Sequence, residues 1–304
     1  MALALLFAVS AAAATIAPGD IAFVPVNGCC CITCPPPPPM VLLSNALDSK
    51  FTSTSYGAVA FGLGNRLYVT NAFTNVIDMY DSALNKTQMV TGLPSSSFPG
   101  GLAVFANGDL LVLTLPTLYV LSPAGAVTQS FTVPTAVNGL SYGVDLAPDQ
   151  CTVFYIDAAG TGRRFNVCTG QPLANLLSGP WNAVRAFGDG GYLAARGATL
   201  DLFDANDHLV RTLTPQIEAV NALAFDIDPR YVWVGTIGVL AKVELSNGSR
   251  VLYGASRPLT FAVNGEQRPA SAAVAVQDIP TLSTPLLSLI AAALIALAWQ
   301  RLRS

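Results

Sequence analysis

A unit of about 40 residues recurs along the middle of this 304-residue chain, and no other feature restricts its fold so much. The units begin at Tyr56, Pro99, Val137, Pro180 and Val220, which are 43, 38, 43 and 40 residues apart. Each carries an apolar strand, a turn, a second strand, a short loop and a third strand. The second strands read LYV, LLVL, VFYI, YLAA and YVWV. Short apolar runs bounded by turn formers signal buried strands. The turns ahead of them are Gly64-Asn65, Asn107-Gly108-Asp109, Pro148-Asp149, residues 188–191 and Asp228-Pro229. No long amphipathic helical pattern interrupts the series. Several strands per repeat, stacked side by side, predict an all-β fold of the β-propeller type; a β-sandwich is the competing reading. The propeller is expected over residues 40–277. Pro258–Val263 and residues 273–276 look like strands of a sixth unit, and Val41–Leu43 could complete it. Pairing the chain ends would close the ring and remove exposed sheet edges. Six blades are expected, with five and seven left open.

Both ends of the chain read as address signals. Residues 1–14 are apolar and finish in small residues, as in a secretory signal peptide cut after Ala14; a buried N-terminal strand or helix is the alternative. At the other end, residues 282–299 hold 18 positions without a charge. As a helix this run is ~27 Å long, close to the thickness of a bilayer core. Arg301 and Arg303 follow it, so the positive-inside rule puts the C-terminus in the cytoplasm and the rest outside.

Export changes how the six cysteines read, because an oxidising compartment permits disulfides. Cys29, Cys30, Cys31 and Cys34 crowd ahead of five prolines at positions 35–39. Such a proline run forms a stiff polyproline II spacer. Residues 15–39 are therefore expected to form a Cys/Pro-rich stalk, with local disulfides, cross-linking and metal binding as alternatives for its thiols. Cys151 and Cys168 bracket a hairpin with its turn at Ala159-Gly160, which places them opposite one another. A disulfide between them is expected.

The stretch Asp278-Ile279-Pro280-Thr281-Leu282-Ser283, with the apolar run and basic end behind it, resembles the IPTL-CTERM sorting signal of bacterial exosortase systems. The resemblance covers residues 278–304. It implies that a membrane exosortase recognises Ile279, Pro280, Thr281 and Leu282, cleaves near them and passes the protein to the envelope or surface. Within the repeats, Leu67-Tyr68-Val69-Thr70-Asn71 is similar to the YVTN propellers. Asn138-Gly139-Leu140 followed by Ala147-Pro148-Asp149 is similar to gluconolactonase-like and NHL-type propellers. In the gluconolactonase-like group, carboxylates and amides at the starts of innermost strands hold a divalent metal.

At the corresponding starts this chain carries Asn138, Asn182 and Asn221. Three neutral amides do not compensate a divalent cation. Their other expected task is to bond backbone groups where strands begin. No metal or cofactor is expected. These asparagines, with Trp181 beside Asn182, are the candidate channel or ligand contacts; core packing is the alternative for Trp181. The one histidine, His208, sits in a polar turn, where a solvated side chain is expected. Charged residues are only 11% of the chain and net charge is −3, without a basic patch for nucleic acid.

The expected function is an exported, envelope- or surface-displayed binding or structural propeller, with an extracellular protein or polysaccharide as partner. A metal-dependent lactonase or hydrolase acting in the channel is one alternative. A membrane-anchored scaffold without processing is another.

Overall fold

In a computed structural model, the described residues are 14–25, 40–53, 57–71, 76–90, 93, 100–114, 116–135, 143–157, 159–176, 179–236, 238–254 and 258–271. They form six four-stranded antiparallel sheets. The first blade holds β1 (Ile21–Pro25), β2 (Val41–Leu43) and β3 (Ser49–Thr52), and the second β4 (Val59–Gly62), β5 (Arg66–Thr70), β6 (Val76–Tyr80) and β7 (Lys86–Val90). The third is β8 (Gly101–Val104), β9 (Leu110–Thr114), β10 (Thr117–Leu121) and β11 (Val127–Thr132). The fourth is β12 (Val144–Leu146), β13 (Thr152–Ile156), β14 (Gly162–Asn166) and β15 (Gln171–Pro172). The fifth is β16 (Ala183–Ala186), β17 (Tyr192–Arg196), β18 (Thr199–Phe203) and β19 (Leu209–Leu213). The sixth is β20 (Val220–Phe225), β21 (Tyr231–Thr236), β22 (Leu240–Glu244) and β23 (Arg250–Tyr253). The last strand, β24 (Pro258–Val263), returns to the first blade and pairs with β1, Ile21 opposite Val263 and Phe23 opposite Phe261. Each innermost strand (β4, β8, β12, β16, β20, β24) touches the innermost strands on either side, so the ring is closed. This is a six-bladed β-propeller.

The apolar second strands now have a cause. Alternate residues of a strand face opposite sides of its sheet, and here both sides are covered by neighbouring blades. Along β17, Leu193 and Ala195 pack towards the sixth blade, while Tyr192 and Ala194 pack towards the fourth. Along β13, Val153 and Tyr155 face the third blade, and Phe154 and Ile156 face the fifth. Among the described residues the core thus divides into six layers, one between each pair of adjacent blades.

Turn chemistry recurs with the same regularity. Asp81 Oδ1 accepts from the N–H groups of Ala83 and Asn85, both at 2.9 Å. Asp204 Oδ1 does the same with Asn206 and His208, and Asp157 Oδ1 with Ala159 and Thr161. Each such turn needs a residue with positive φ just before its end: Leu84, Asp207 and Gly160. An Asp that bonds two and four residues ahead fixes the hairpin.

The expected stalk is corrected in part. Residues 15–39 are not a stalk throughout: Ile21–Pro25 is a buried strand of the first blade, hydrogen-bonded on both sides. The Cys/Pro run therefore falls between two paired strands and not ahead of the propeller. Val41–Leu43 and Pro258–Val263 do belong to the closing blade, as β2 and β24. Residues 1–13, the Cys29 to Pro39 run, and residues 272–304 with the sorting motif lie outside the described residues.

Cys151 and Cys168 are joined by a disulfide with a Cα–Cα distance of 5.2 Å. The register differs from the expected one by a residue. Thr152 pairs with Asn166, and the Cys151 carbonyl accepts from Val167 N–H, so the bridge is diagonal. Arg163 pairs at 2.9 Å with the buried Asp157, and Arg164 pairs with Asp207 while lying over the Phe154 and Tyr192 rings.

Candidate functional site

Six innermost strands run along the channel in the same direction, and small residues crowd their beginnings. Ala58, Gly100, Gly101, Gly143, Ala183 and Ala222 line a neck of about 50 Å³. A Cβ on Gly101 would lie 2.8 Å from Val144 Cγ1, so glycine is required there. At the far ends of the strands the channel widens into a cavity of about 560 Å³. Strands β4 and β8 form one wall, where Phe61 and Val104 are only partly buried. The opposite wall is polar and holds Asp145 from β12, Arg185 from β16, and Glu266 and Arg268 from the segment after β24.

That segment, residues 264–271, is a strap across the wide mouth. It leaves the first blade with Asn264 N–H donating to Asp20 O at 2.9 Å. Gln267 N–H then donates to Asp226 O on the sixth blade, and Pro269 O accepts from Gly188 N–H on the fifth. Ser271 ends the strap by donating from N–H and Oγ to Asp189 Oδ2, at 2.7 and 2.6 Å. Gly188 is obligatory beneath it, since a Cβ there would come within 2.9 Å of Arg268 O.

Asp145 is the centre of the polar wall and is 1% exposed. Arg268 grips both of its oxygens, at 2.8 and 3.0 Å, and also donates to Leu146 O at 2.8 Å. Arg185 Nη1 stands 3.1 Å from Asp145 Oδ1, and its Nη2 pairs with Glu266. Ala186 N–H donates to Asp145 Oδ2 at 2.7 Å. Burial alone would raise the Asp145 carboxyl; the Arg185 and Arg268 guanidiniums outweigh it and hold the group below the usual carboxylate range. Burial likewise works against the charge of Arg268, and Asp145 and Glu266 more than offset it, pushing that group upward. Two acids and two guanidiniums cancel, so the wall is polar but carries no net charge.

The residues singled out from sequence are distributed differently. Asn182 stands at the narrow end, where its Nδ2 donates to Val220 O at 3.0 Å and ties the fifth blade to the sixth. Asn221 is the extra residue of a bulge between Val220 and Ala222. Asn138 lies outside the described residues. Trp181 is 3% exposed and packs edge-on to Phe203 in the layer between the fourth and fifth blades, with Arg196 over its ring. Its place in the core removes it from the channel lining. His208 is exposed on an outer turn beside Asp204. Sequence reading missed Arg185, Glu266 and Arg268; the only local signal was three charges near a β-strand end in a chain poor in charge.

Replacing Asn182 by alanine should cost about 1 kcal/mol, the worth of one hydrogen bond. Thermal melting should fall by roughly 2–4 °C. An unchanged melting curve would show that this amide does not tie the blades.

No protein-family model matches the sequence, and no curated protein matches it. Solved structures do match. One is a protein of unknown function from Bacteroides caccae, with a TM-score of 0.64 at 13% identity, covering 82% of this chain and all of that one. The likeness is one of fold. In all, 1547 solved chains match, and a likeness so widely shared selects an architecture and no activity.

Among the described residues no group of three or more His, Cys, Asp or Glu is placed to hold a metal ion. The buried acid at the mouth already has guanidiniums and a backbone N–H on both oxygens. A general base needs a free lone pair and a pKa near the working pH. Asp145 has neither, and the arrangement is suited to holding a ligand.

Proposed function

We propose that this chain is an exported propeller that serves as a binding module at the cell envelope, with the wide mouth of its channel as the binding surface. The observation that carries the binding reading is the cavity of about 560 Å³, apolar on one wall and charge-balanced on the other. Pockets of this size with a few convergent polar groups are the usual form of a ligand site. Export is supported by the Cys151–Cys168 bridge, a bond that persists in oxidising compartments. It is supported further by the apolar run at each end of the sequence and by the likeness of residues 278–304 to an exosortase sorting signal. Among the described residues no helix is long and apolar enough to cross a membrane. The proposed anchor, residues 282–299, lies beyond them.

Intact-mass measurement on the protein recovered from envelope fractions tests delivery. The expected species starts near Thr15 and has lost the apolar run that ends at Trp299. A chain ending at Ser304 in the membrane would replace sorting by simple anchoring. A full-length chain in the cytoplasm, with Cys151 and Cys168 reduced, would end the export reading.

A further inference from the structure

The mouth of the channel offers more than a volume, and the choice of ligand can be narrowed. Asp145 and Glu266 are balanced by Arg185 and Arg268, so a charged ligand gains no net attraction there. A wholly apolar ligand would cover these four groups without bonding them, which is unfavourable. Carboxylates and guanidiniums side by side present paired acceptors and paired donors in fixed planes. Adjacent hydroxyl groups, each a donor and an acceptor, complement such a surface. Across the cavity, Phe61 and Val104 supply an apolar face of the kind that packs against ring C–H groups.

We infer that the wide mouth binds a neutral saccharide, either free or as the terminal residue of a glycan, with its hydroxyls on the partly exposed Arg185, Glu266 and Arg268 and its C–H face on Phe61 and Val104. This inference rests on reading the mouth as a binding surface. It also gives the strap a purpose, because Glu266 and Arg268 belong to the strap. The site is incomplete in any chain shortened ahead of residue 271. Processing near Ile279 would leave it whole.

The test is calorimetric titration of the full chain, held in a detergent without sugar groups. The probes are D-glucose, D-galactose, D-mannose and N-acetyl-D-glucosamine, with D-glucuronate as the charged control and maltotriose and cellotriose as glycan ends. Saturable binding of at least one neutral sugar is expected, and it should persist at high salt because no net charge is involved. Preference for a trisaccharide would assign the glycan end, and preference for a monosaccharide the free sugar. Arg185→Met should weaken binding at least tenfold. Because that change also disturbs an ion pair, Ala106→Trp at the exposed rim provides a second arm; it should obstruct the mouth at unchanged melting temperature. The inference is overturned if no neutral sugar binds, if glucuronate is preferred, or if Ala106→Trp binds as tightly as the parent. Loss of sugar binding in a correctly exported protein counts against this inference alone, whereas retention in the cytoplasm counts against export alone.

Discussion

Arg268→Ala should lower stability by about 3 kcal/mol, the low end of the range for removing one partner of a buried ion pair. The low end is appropriate because Arg185 remains 3.1 Å from Asp145. For a domain of this size the melting temperature should drop by roughly 6–12 °C. The effect should depend on pH in a defined direction. Asp145 has a folded-state pKa below its unfolded value, which is near 3.9 for a free aspartate. Its contribution is therefore complete above about pH 4 and is lost as pH falls through the folded value. Without Arg268 the folded value moves up, so acid unfolding of the variant should begin at higher pH than in the parent. Urea titrations at neutral and acid pH measure both effects. Equal midpoints at neutral pH would show that the strap rests on the mouth without securing it. Arg268→Lys should recover only part of the loss, since a single ammonium cannot grip both carboxylate oxygens in parallel.

The second large effect is expected at the disulfide. The loop between Cys151 and Cys168 spans a sequence separation of 17. In the chain-entropy account a closed loop of this length contributes about 3 kcal/mol. Cys151→Ser with Cys168→Ser should lose that amount, and reductant should bring the parent to nearly the same midpoint. The bridge sits where β13 begins and β14 ends, so exchange of the Val167 amide, bonded to Cys151 O at 2.9 Å, should rise first. A parent protein that melts identically with and without reductant would show that the bridge does not contribute.

How much of this was legible in the sequence depended on distance along the chain. The repeat was visible because every blade solves the same local problem: a strand covered on both faces, and a turn that begins with Asp or Ser. Leu67-Tyr68-Val69 and Tyr231-Val232-Trp233-Val234 could be read as buried strands from their own residues. β1 was obscured because Ile21–Pro25 leads straight into a cysteine and proline run, which dominates its composition. The diagonal disulfide missed the expected register by one residue because the centre of the hairpin depends on turn geometry. The polar wall of the mouth could not be read at all. Asp145 and Arg268 meet across 123 positions, and only ring closure brings them together. Trp181 shows the opposite failure: its neighbours suggested a surface, but its ring turns into the layer between blades, beside Phe203.

The strand that lines the channel in the first blade is the last one to be made. Until Pro258–Val263 is added, β1 has an open hydrogen-bonding edge, and the apolar layers flanking that blade lack Phe261, Ala262 and Val263. A product of interrupted synthesis or partial proteolysis therefore advertises its own incompleteness. It exposes sticky edges of the kind that proteases and chaperones survey. One short strand late in the sequence thus decides whether the ring is sealed or left with an open edge.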